Sequence, residues 1–526
     1  MKFRNIVVAG LALLVACADV TLLVLSGMSR KAQELRIKMA LGASRGRLIR
    51  ELMAVGLLAA ALGASLGLVL AAATRGWLVS LMPPSMPRAS EIRLGGVAIA
   101  GTAVLSAAVG IATTLLPALW VLRAESQSRV YVTGNRQSYG RLGRVLTGLQ
   151  AALTVVVLSL TVILLRSYSA LARVDLGFDA VNVITMEVVT SNGAYLHSEA
   201  TLELEQTALE SLHRLPDVEA AGTTDQPPLG GSAAIYSFRV TDGDAQGEET
   251  QCYYRRVGPG YVEAMRMAIL KGRAFTAADK TGAQDVVLLN ETAARILFRG
   301  VDPLGKPIYT TRGRPLIVVG VIGDIRAEAL DRAAVPEVYR CRLQEPLGGA
   351  VLVVRTKADP RALLALLSGG RSSVLPGLKV KSAGTLRASI DRAISEPRFR
   401  ALVVGLFGAL VLVLLFAGVT GLSARAVVTR TREIGIRMAV GASTASCIQL
   451  LVWQTLSPAI LGSVIGTLGA VGCGRLLRGL VFAVPEADPI SIGAAAALLI
   501  VATMAAAYIP ARRAAKVDPV TSLRQE

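Results

Sequence analysis

Gly300-Val301-Asp302-Pro303-Leu304-Gly305-Lys306 follows the first seven positions of a phosphate-binding loop, whose backbone N–H groups cradle phosphates while the lysine reaches the terminal ones. The next residue is Pro307, where a serine or threonine hydroxyl would have to hold Mg²⁺, so the segment reads as a turn. Thiol or metal chemistry would need the cysteines or histidines. Cys17, Cys252, Cys341, Cys447 and Cys473 include no C-x-x-C pair, and His197 and His213 are too few for a His-rich metal centre. Asn290-Glu291-Thr292 matches the short and frequent N-glycosylation acceptor. No nucleophile elbow, zincin signature or carboxylate pair in an apolar span stands out. No residue is therefore assigned a catalytic, cofactor-binding or metal-binding role, no cofactor is expected, and the chain reads as a non-enzyme.

The elements that carry these residues explain why. Of 526 residues, 53% are hydrophobic and only 18% charged, where a soluble domain carries about 25% charge. A membrane span needs about 20 mainly apolar residues, because every backbone polar group must be satisfied within it. Stretches of this kind lie at residues 6–27, 52–73, 96–122, 145–165, 401–422, 448–471 and 490–509, giving about seven spans. Between the fourth and fifth lies a long segment of ordinary soluble composition.

The net charge of +19 could mark a nucleic-acid partner or basic cytoplasmic loops. Its distribution favours the loops. Between the first two spans stand Arg30, Lys31, Arg36, Lys38, Arg45, Arg47 and Arg50 against Glu34 alone. Further basic stretches at 123–144, 424–447 and the tail from Arg512 fall on the same side by alternation. That side is cytoplasmic, the segment 166–400 lies outside, and no nucleic-acid partner is expected. The same alternation puts the N-terminus outside, against the weak contrary vote of Lys2 and Arg4. A rival reading takes Leu14-Val15-Ala16-Cys17 as a lipidation box, but the apolar run continues through residues 20–25 to span length. Asp19 within this span must face a helix or water, as a packed polar residue or a gating contact.

An internal repeat sets the architecture. Residues Glu34-Leu35-Arg36-Ile37-Lys38-Met39-Ala40-Leu41-Gly42-Ala43-Ser44 return without a gap as Glu433-Ile434-Gly435-Ile436-Arg437-Met438-Ala439-Val440-Gly441-Ala442-Ser443. Gly63 and Gly67 correspond to Gly462 and Gly466, small-residue pairs that let two helices approach closely. Leu116-Pro117-Ala118 answers Ile509-Pro510-Ala511. The chain therefore holds two three-span units, residues 1–123 and 401–526, separated by a linker with a fourth span (124–165) and the external segment (166–400). Each repeated loop reads as a short amphipathic helix with a glycine stop at the membrane surface. Identity beyond charge makes it a docking surface for a cytoplasmic partner rather than a topology-setting loop alone.

Within 166–400, extended runs are expected at 181–190, 233–240, 251–257, 285–289, 316–322 and 350–354, and helices at 198–215, 291–298 and 360–367. This is an α+β domain large enough for its own core. His213 falls at a helix end as a surface or capping residue. Cys252 and Cys341 lie outside, where a disulfide is permitted, and their pairing stays open.

Together these stretches resemble the FtsX/MacB-type permeases of ABC systems, especially the tandemly duplicated branch called acidobacterial duplicated orphan permeases. The resemblance rests on residues 432–442, 509–519 and 522–526, and in the external segment on Val257-Gly258-Pro259-Gly260-Tyr261, Lys271-Gly272-Arg273-Ala274-Phe275, Asp302-Pro303-Leu304-Gly305 and residues 319–326. It implies a multi-span α-helical permease of the bacterial inner (plasma) membrane with one α+β MacB-like periplasmic core domain. It further implies a cytoplasmic P-loop ATPase partner, a periplasmic or envelope partner, and motion transmitted across the bilayer without a conventional channel. Glu34, Arg36, Lys38, Gly42, Glu433, Arg437 and Gly441 are then the coupling residues, and Gly63, Gly67, Gly462 and Gly466 the packing residues. A full duplicated member would carry another span and another external domain before Met1, so the chain is a fragment or a half-reduced variant. The alternative function is an ATPase-independent scaffold that binds an envelope protein.

Overall fold

The computed structural model describes Cys17, Lys38, Leu41 and residues 44–83, 95–126, 134–190, 199–231, 233–240, 249–311, 313–346, 350–368, 374–440, 442–476, 482–485 and 488–514. In chain order the helices are α1 (Arg45–Ser80), α2 (Gly96–Ser126), α3 (Gly134–Ala172), α4 (Glu199–His213), α5 (Tyr261–Ala264), α6 (Glu291–Phe298), α7 (Pro360–Ser368), α8 (Leu386–Ala439), α9 (Thr444–Leu476) and α10 (Pro489–Ala514). The strands are β1 (Val183–Thr190), β2 (Val218–Thr224), β3 (Ala234–Arg239), β4 (Thr250–Val257), β5 (Ile269–Gly272), β6 (Val286–Asn290), β7 (Pro307–Thr310), β8 (Pro315–Ile322), β9 (Glu337–Cys341), β10 (Ala350–Thr356) and β11 (Leu378–Thr385). The chain divides into a helical unit, Met1–Ala170 with Glu396–Glu526, and a mixed unit, Leu171–Ser395.

In the helical unit five described helices are long and apolar enough to cross a bilayer: α1, α3, α8, α9 and α10. The described part of α2 gives a shorter apolar run, Gly96–Ala112. The first expected span, 6–27, lies outside the described residues except for Cys17. Helix α3 is the centre of the packing. Two-thirds of its apolar window is buried, against none of α1's, and its Ala151 and Val155 join Leu415 and Val419 of α8, Ala459 of α9 and Leu499, Ala506 and Ala507 of α10 in one core. Small side chains let these helices approach closely where no hydrophobic force separates protein from lipid.

One expectation needs correcting. The second repeated loop does not form a separate short helix: residues 433–439 are the last turns of α8, which runs 54 residues from Leu386. Between Leu422 and Glu433 neither proline nor glycine interrupts the chain, so span and loop motif propagate as one helix.

The mixed unit builds two β layers joined through β2. Strands β11, β1, β10 and β2 form an antiparallel sheet, and Ala208 and Leu212 of α4 and Leu363 and Leu367 of α7 fill its apolar face. Strands β4, β3, β7, β8, β6 and β9 follow, and β9 pairs in parallel with β4, so these six strands close on themselves. Their core holds Phe238, Tyr254, Val287, Leu289, Ile308 and Val318, together with Leu297 and Phe298 of α6. Closure leaves this group of strands without a continuous free edge. Gly222 on β2 is required by close approach, since a Cβ there would overlap the backbone nitrogen of Tyr261.

Candidate docking turns and the helix seams behind them

The second copy of the repeated loop lies at the end of α8 and the start of α9. Helix α8 ends at Ala439, Val440 makes the turn, and the Ala442 N–H donates to the Arg437 carbonyl at 2.9 Å. Ser443 then caps α9: its Oγ accepts from the Ser446 N–H at 3.2 Å, satisfying one of the donors that every helix start leaves open. Beneath the turn, Cys447 and Leu451 of α9 pack with Ala511 of α10, flanked by Val427, Ala442 and Ile448. The corner thus ties three helices together, and Val440 stands outside it at 83% exposure.

The first copy shares part of this arrangement. Counting back 399 residues, the offset that relates Ser44 to Ser443, Cys447 corresponds to Leu48 and Leu451 to Leu52. Both are buried. The Ser44 carbonyl accepts from the Arg47 and Leu48 N–H groups to start α1, though its side chain makes no cap. Val440 corresponds to Leu41, which is 82% exposed at a turn of its own. Lys38 here makes a 2.8 Å ion pair with Glu51, whereas the matching residues of the second copy are Arg437 and Leu450.

Of the residues singled out from the sequence, Glu34, Arg36, Gly42 and Gly441 lie outside the described residues, and Glu433 falls within α8. Arg437 is exposed in the last turn of α8. Sequence reasoning missed Leu41 and Val440, although an apolar residue between a charged helix and a glycine in both copies was a visible signal.

The paired glycines also part company. A Cβ on Gly462 would overlap the Gly148 carbonyl oxygen, and one on Gly466 would come within 2.5 Å of the Ala152 oxygen, so both seat α9 against α3. No described residue lies within 4 Å of a Cβ at Gly63 or Gly67. Helices α1 and α2 meet instead at Gly110, where a Cβ would stand 2.8 Å from the Ala60 Cβ, and at Gly56 beside Thr114.

At the opposite end of the bundle Asp488 precedes α10. Its carboxylate accepts from the Ser491 N–H at 3.0 Å and pairs with Arg166 of α3, while Ser167 Oγ accepts from the Phe482 N–H at 2.8 Å. Counting back 393 residues, the offset from Pro510 to Pro117, places Gly95 at the matching position.

In the mixed unit the charged groups are structural. Arg255 of β4 is fully buried and donates to Glu337 of β9 at 2.8 Å, and the Tyr339 hydroxyl donates to the same carboxylate. Arg342 holds Glu205 of α4 through two 2.8 Å bonds. The Arg273 guanidinium beside Asp279 keeps its carboxyl below the usual range, aided by the Thr276 N–H and hydroxyl and opposed by burial. Cys252 and Cys341 are both free, and burial pushes their thiols up to about 12 and about 11, so neither is a nucleophile at neutral pH. Asn290 is no acceptor for a glycan: it is fully buried, caps α6 through Ala293 and donates to the Val335 carbonyl. Residues 304 and 305 form the turn expected of the loop-like motif.

The FtsX-like permease C-terminal model matches residues 6–126 and again 405–519, and the MacB-like periplasmic core domain model matches residues 151–368. The chain belongs to the FtsX/MacB-type permease family. It is a membrane permease with a MacB-like periplasmic domain, and the family model recovers both copies of the repeat. Among its relatives, the macrolide export ATP-binding/permease protein MacB of Mannheimia succiniciproducens is 25% identical over 302 residues, covering 53% of this chain and 44% of that protein. The pyoverdine export ATP-binding/permease protein PvdT of Pseudomonas fluorescens is 28% identical over 285 residues, covering 51% and 42%. The chain thus spans less than half the length of either. Among solved structures, the periplasmic region of MacB from Actinobacillus actinomycetemcomitans is 16% identical, covers 43% of this chain and 94% of its own, and has a TM-score of 0.27.

Proposed function

We propose that this protein is the permease subunit of an ABC-type export or envelope system in the bacterial inner membrane. A separate cytoplasmic P-loop ATPase drives it, and its periplasmic domain acts on an envelope partner. One observation carries the reading: an apolar side chain stands more than four-fifths exposed at the same position of both repeats, Leu41 and Val440, each above a buried corner. Recurrence of an exposed apolar residue at one position of both repeats, above buried side chains, is what a shared protein contact would use. Coupling follows if the partner binds the turns differently in its nucleotide states, since only differential contact shifts an equilibrium. Displacement of Val440 then moves α8, α9 and α10 as a group. The chain passes between its two units at residues 170–171 and 395–396, so α3 and α8 are the covalent links through which motion reaches the periplasmic domain. ATP hydrolysis belongs to the partner, and no residue of this chain is assigned chemistry. The names of the relatives, which join ATP binding to export, support the pairing of a permease with an ATPase.

The test is affinity purification from native membranes of the wild type and of the Leu41→Asp/Val440→Asp double variant. A P-loop ATPase should accompany the wild type and fall at least tenfold in the variant, with insertion unchanged. Equal recovery would exclude the turns as its docking points, and recovery of envelope proteins alone from the wild type would favour the ATPase-independent scaffold.

A further inference from the structure

We infer that strand β3 is a docking edge, to which an envelope protein adds an extended segment bearing carboxylates by pairing its backbone with residues 234–237. That an envelope partner exists rests on the reading above; the edge fixes where it docks and how.

On one side β3 is paired with β4, from Ala234 opposite Tyr254 to Phe238 opposite Thr250. On the other side β7 reaches only Phe238 and Arg239. There the chain turns back into β8, closed by the Gly313 N–H on the Thr310 carbonyl at 2.8 Å, with Gly313 left-handed at φ 77°. Among the described residues no strand covers the second side of 234–237. Alternate residues of a strand point their N–H and C=O groups to each side, and open groups of this kind accept an added strand.

An open edge is ordinarily blunted by a lysine, a proline or a bulge. Ala234-Ile235-Tyr236-Ser237 contains neither residue, and its register with β4 runs without a shift. Ile235 and Tyr236 are 53% and 45% exposed, and as strand neighbours they stand on opposite faces. Tyr236 shares its face with Phe238, which is buried in the core of the closed strands. It is open to solvent because β7 stops at Phe238. The Tyr236 ring lies 4.8 Å from that of Tyr254, edge to face, and Tyr254 stacks in turn on Phe238 at 6.0 Å. This anchor is seated on the core on one side and bare on the other, so an added strand buries it at little ordering cost.

The turn beside the open stretch decides the occupant. Thr311-Arg312-Gly313-Arg314 brings two arginines and no carboxylate, and Arg314 is exposed. The acidic residues Asp242, Asp244, Glu248 and Glu249 follow Arg239, at the end of β3 that β7 already pairs. A segment with carboxylates next to its apolar residues is therefore attracted at the turn. A second copy of this chain is the competing occupant. Pairing two β3 edges about a two-fold axis would set a basic turn at each end of a strand pair only about 13 Å long, where like charges repel.

The experiment places p-benzoylphenylalanine at position 235 of the full chain, cross-links in native membranes and maps the attached residues by mass spectrometry. They should belong to an envelope protein and lie in a stretch of alternating apolar residues with carboxylates close by. Arg314→Glu should lower the yield at least fivefold, and Arg314→Lys should keep it. The backbone pairing is read with the mapped segment as a synthetic peptide on the purified full-length protein. N-methylation at every second residue should weaken binding at least tenfold in one phase of the alternation and less than twofold in the other. A cross-link to a second copy of this chain, a segment without carboxylates, an unchanged yield in Arg314→Glu, equal effects of the two methylation phases, or no adduct from the inserted protein would each overturn the inference. An envelope protein that co-purifies but never cross-links at position 235 would refute the docking edge and leave the proposed function standing. Loss of the ATPase with the acidic segment still captured at position 235 would do the reverse.

Discussion

The first and second copies of the repeat share sequence at their turns and glycines but differ in what surrounds them. In the second, Gly462 and Gly466 are closed by the backbone of α3, and Asp488 ties the far end of α10 to Arg166 of the same helix. In the first, Gly63 and Gly67 face no described residue, and Gly95 stands where Asp488 does. Under both turns a matching pair of side chains is buried, Leu48 and Leu52 or Cys447 and Leu451. A small-residue pair is permission for close approach, and a neighbouring helix decides whether it is used. What both copies share is an exposed apolar residue at the turn, Leu41 or Val440, above buried side chains.

Truncating the corner should cost most and should cost both copies alike. Leu52→Ala and Leu451→Ala each remove a buried side chain, a loss of about 2–5 kcal/mol. Thermal unfolding in detergent should show a comparable drop for each, and a drop confined to one copy would end the claim that the corners are equivalent. The seams should separate the copies next. Gly466→Leu forces a side chain against the Ala152 backbone and should cost about 1–3 kcal/mol, while Gly63→Leu stays within about 0.5 kcal/mol. Equal effects in the same unfolding assay would mean that Gly63 is packed after all. Smaller again is Asp488→Asn, which removes a charge-assisted bond worth about 1.5–3 kcal/mol at most and less here, because Arg166 is partly exposed. Gly95→Asp should not reproduce that stabilisation. Smallest is Glu51→Gln. The exposed Lys38 pair is worth about 0–1 kcal/mol to stability, so unfolding should hardly move, and any larger change would show a structural role beyond holding the turn.

Much of the fold was legible because its signals are strong and local. The expected strand at 316–322 is β8 and the expected helix at 291–298 is α6, where Asn290 supplies the cap and Arg299 takes the left-handed conformation that ends it. Two buried strands escaped because their residues contradict the usual pattern. Strand β9 reads Glu-Val-Tyr-Arg-Cys, and its charges are tolerable because Glu337 pairs with the buried Arg255 and Arg340 with the partly exposed Asp285. Strand β2 reads Val-Glu-Ala-Ala-Gly-Thr-Thr, small residues selected by the close approach of the Tyr261 backbone. The repeat drew the eye to the turns, and charge drew it within them to Glu34, Arg36 and Glu433. The exposure of Leu41 and Val440 could be seen only once the residues beneath them were shown to be buried.

The central claim is that force enters at these turns and emerges in the periplasmic domain. Hydrogen exchange of residues 171–395 in native-membrane vesicles, with ATP added on the cytoplasmic side, tests it most directly. The account predicts a change in protection on ATP turnover in the wild type and none in Leu41→Asp/Val440→Asp. The same nucleotide-dependent change in that variant, or no change in a wild type bound to its ATPase, would contradict it.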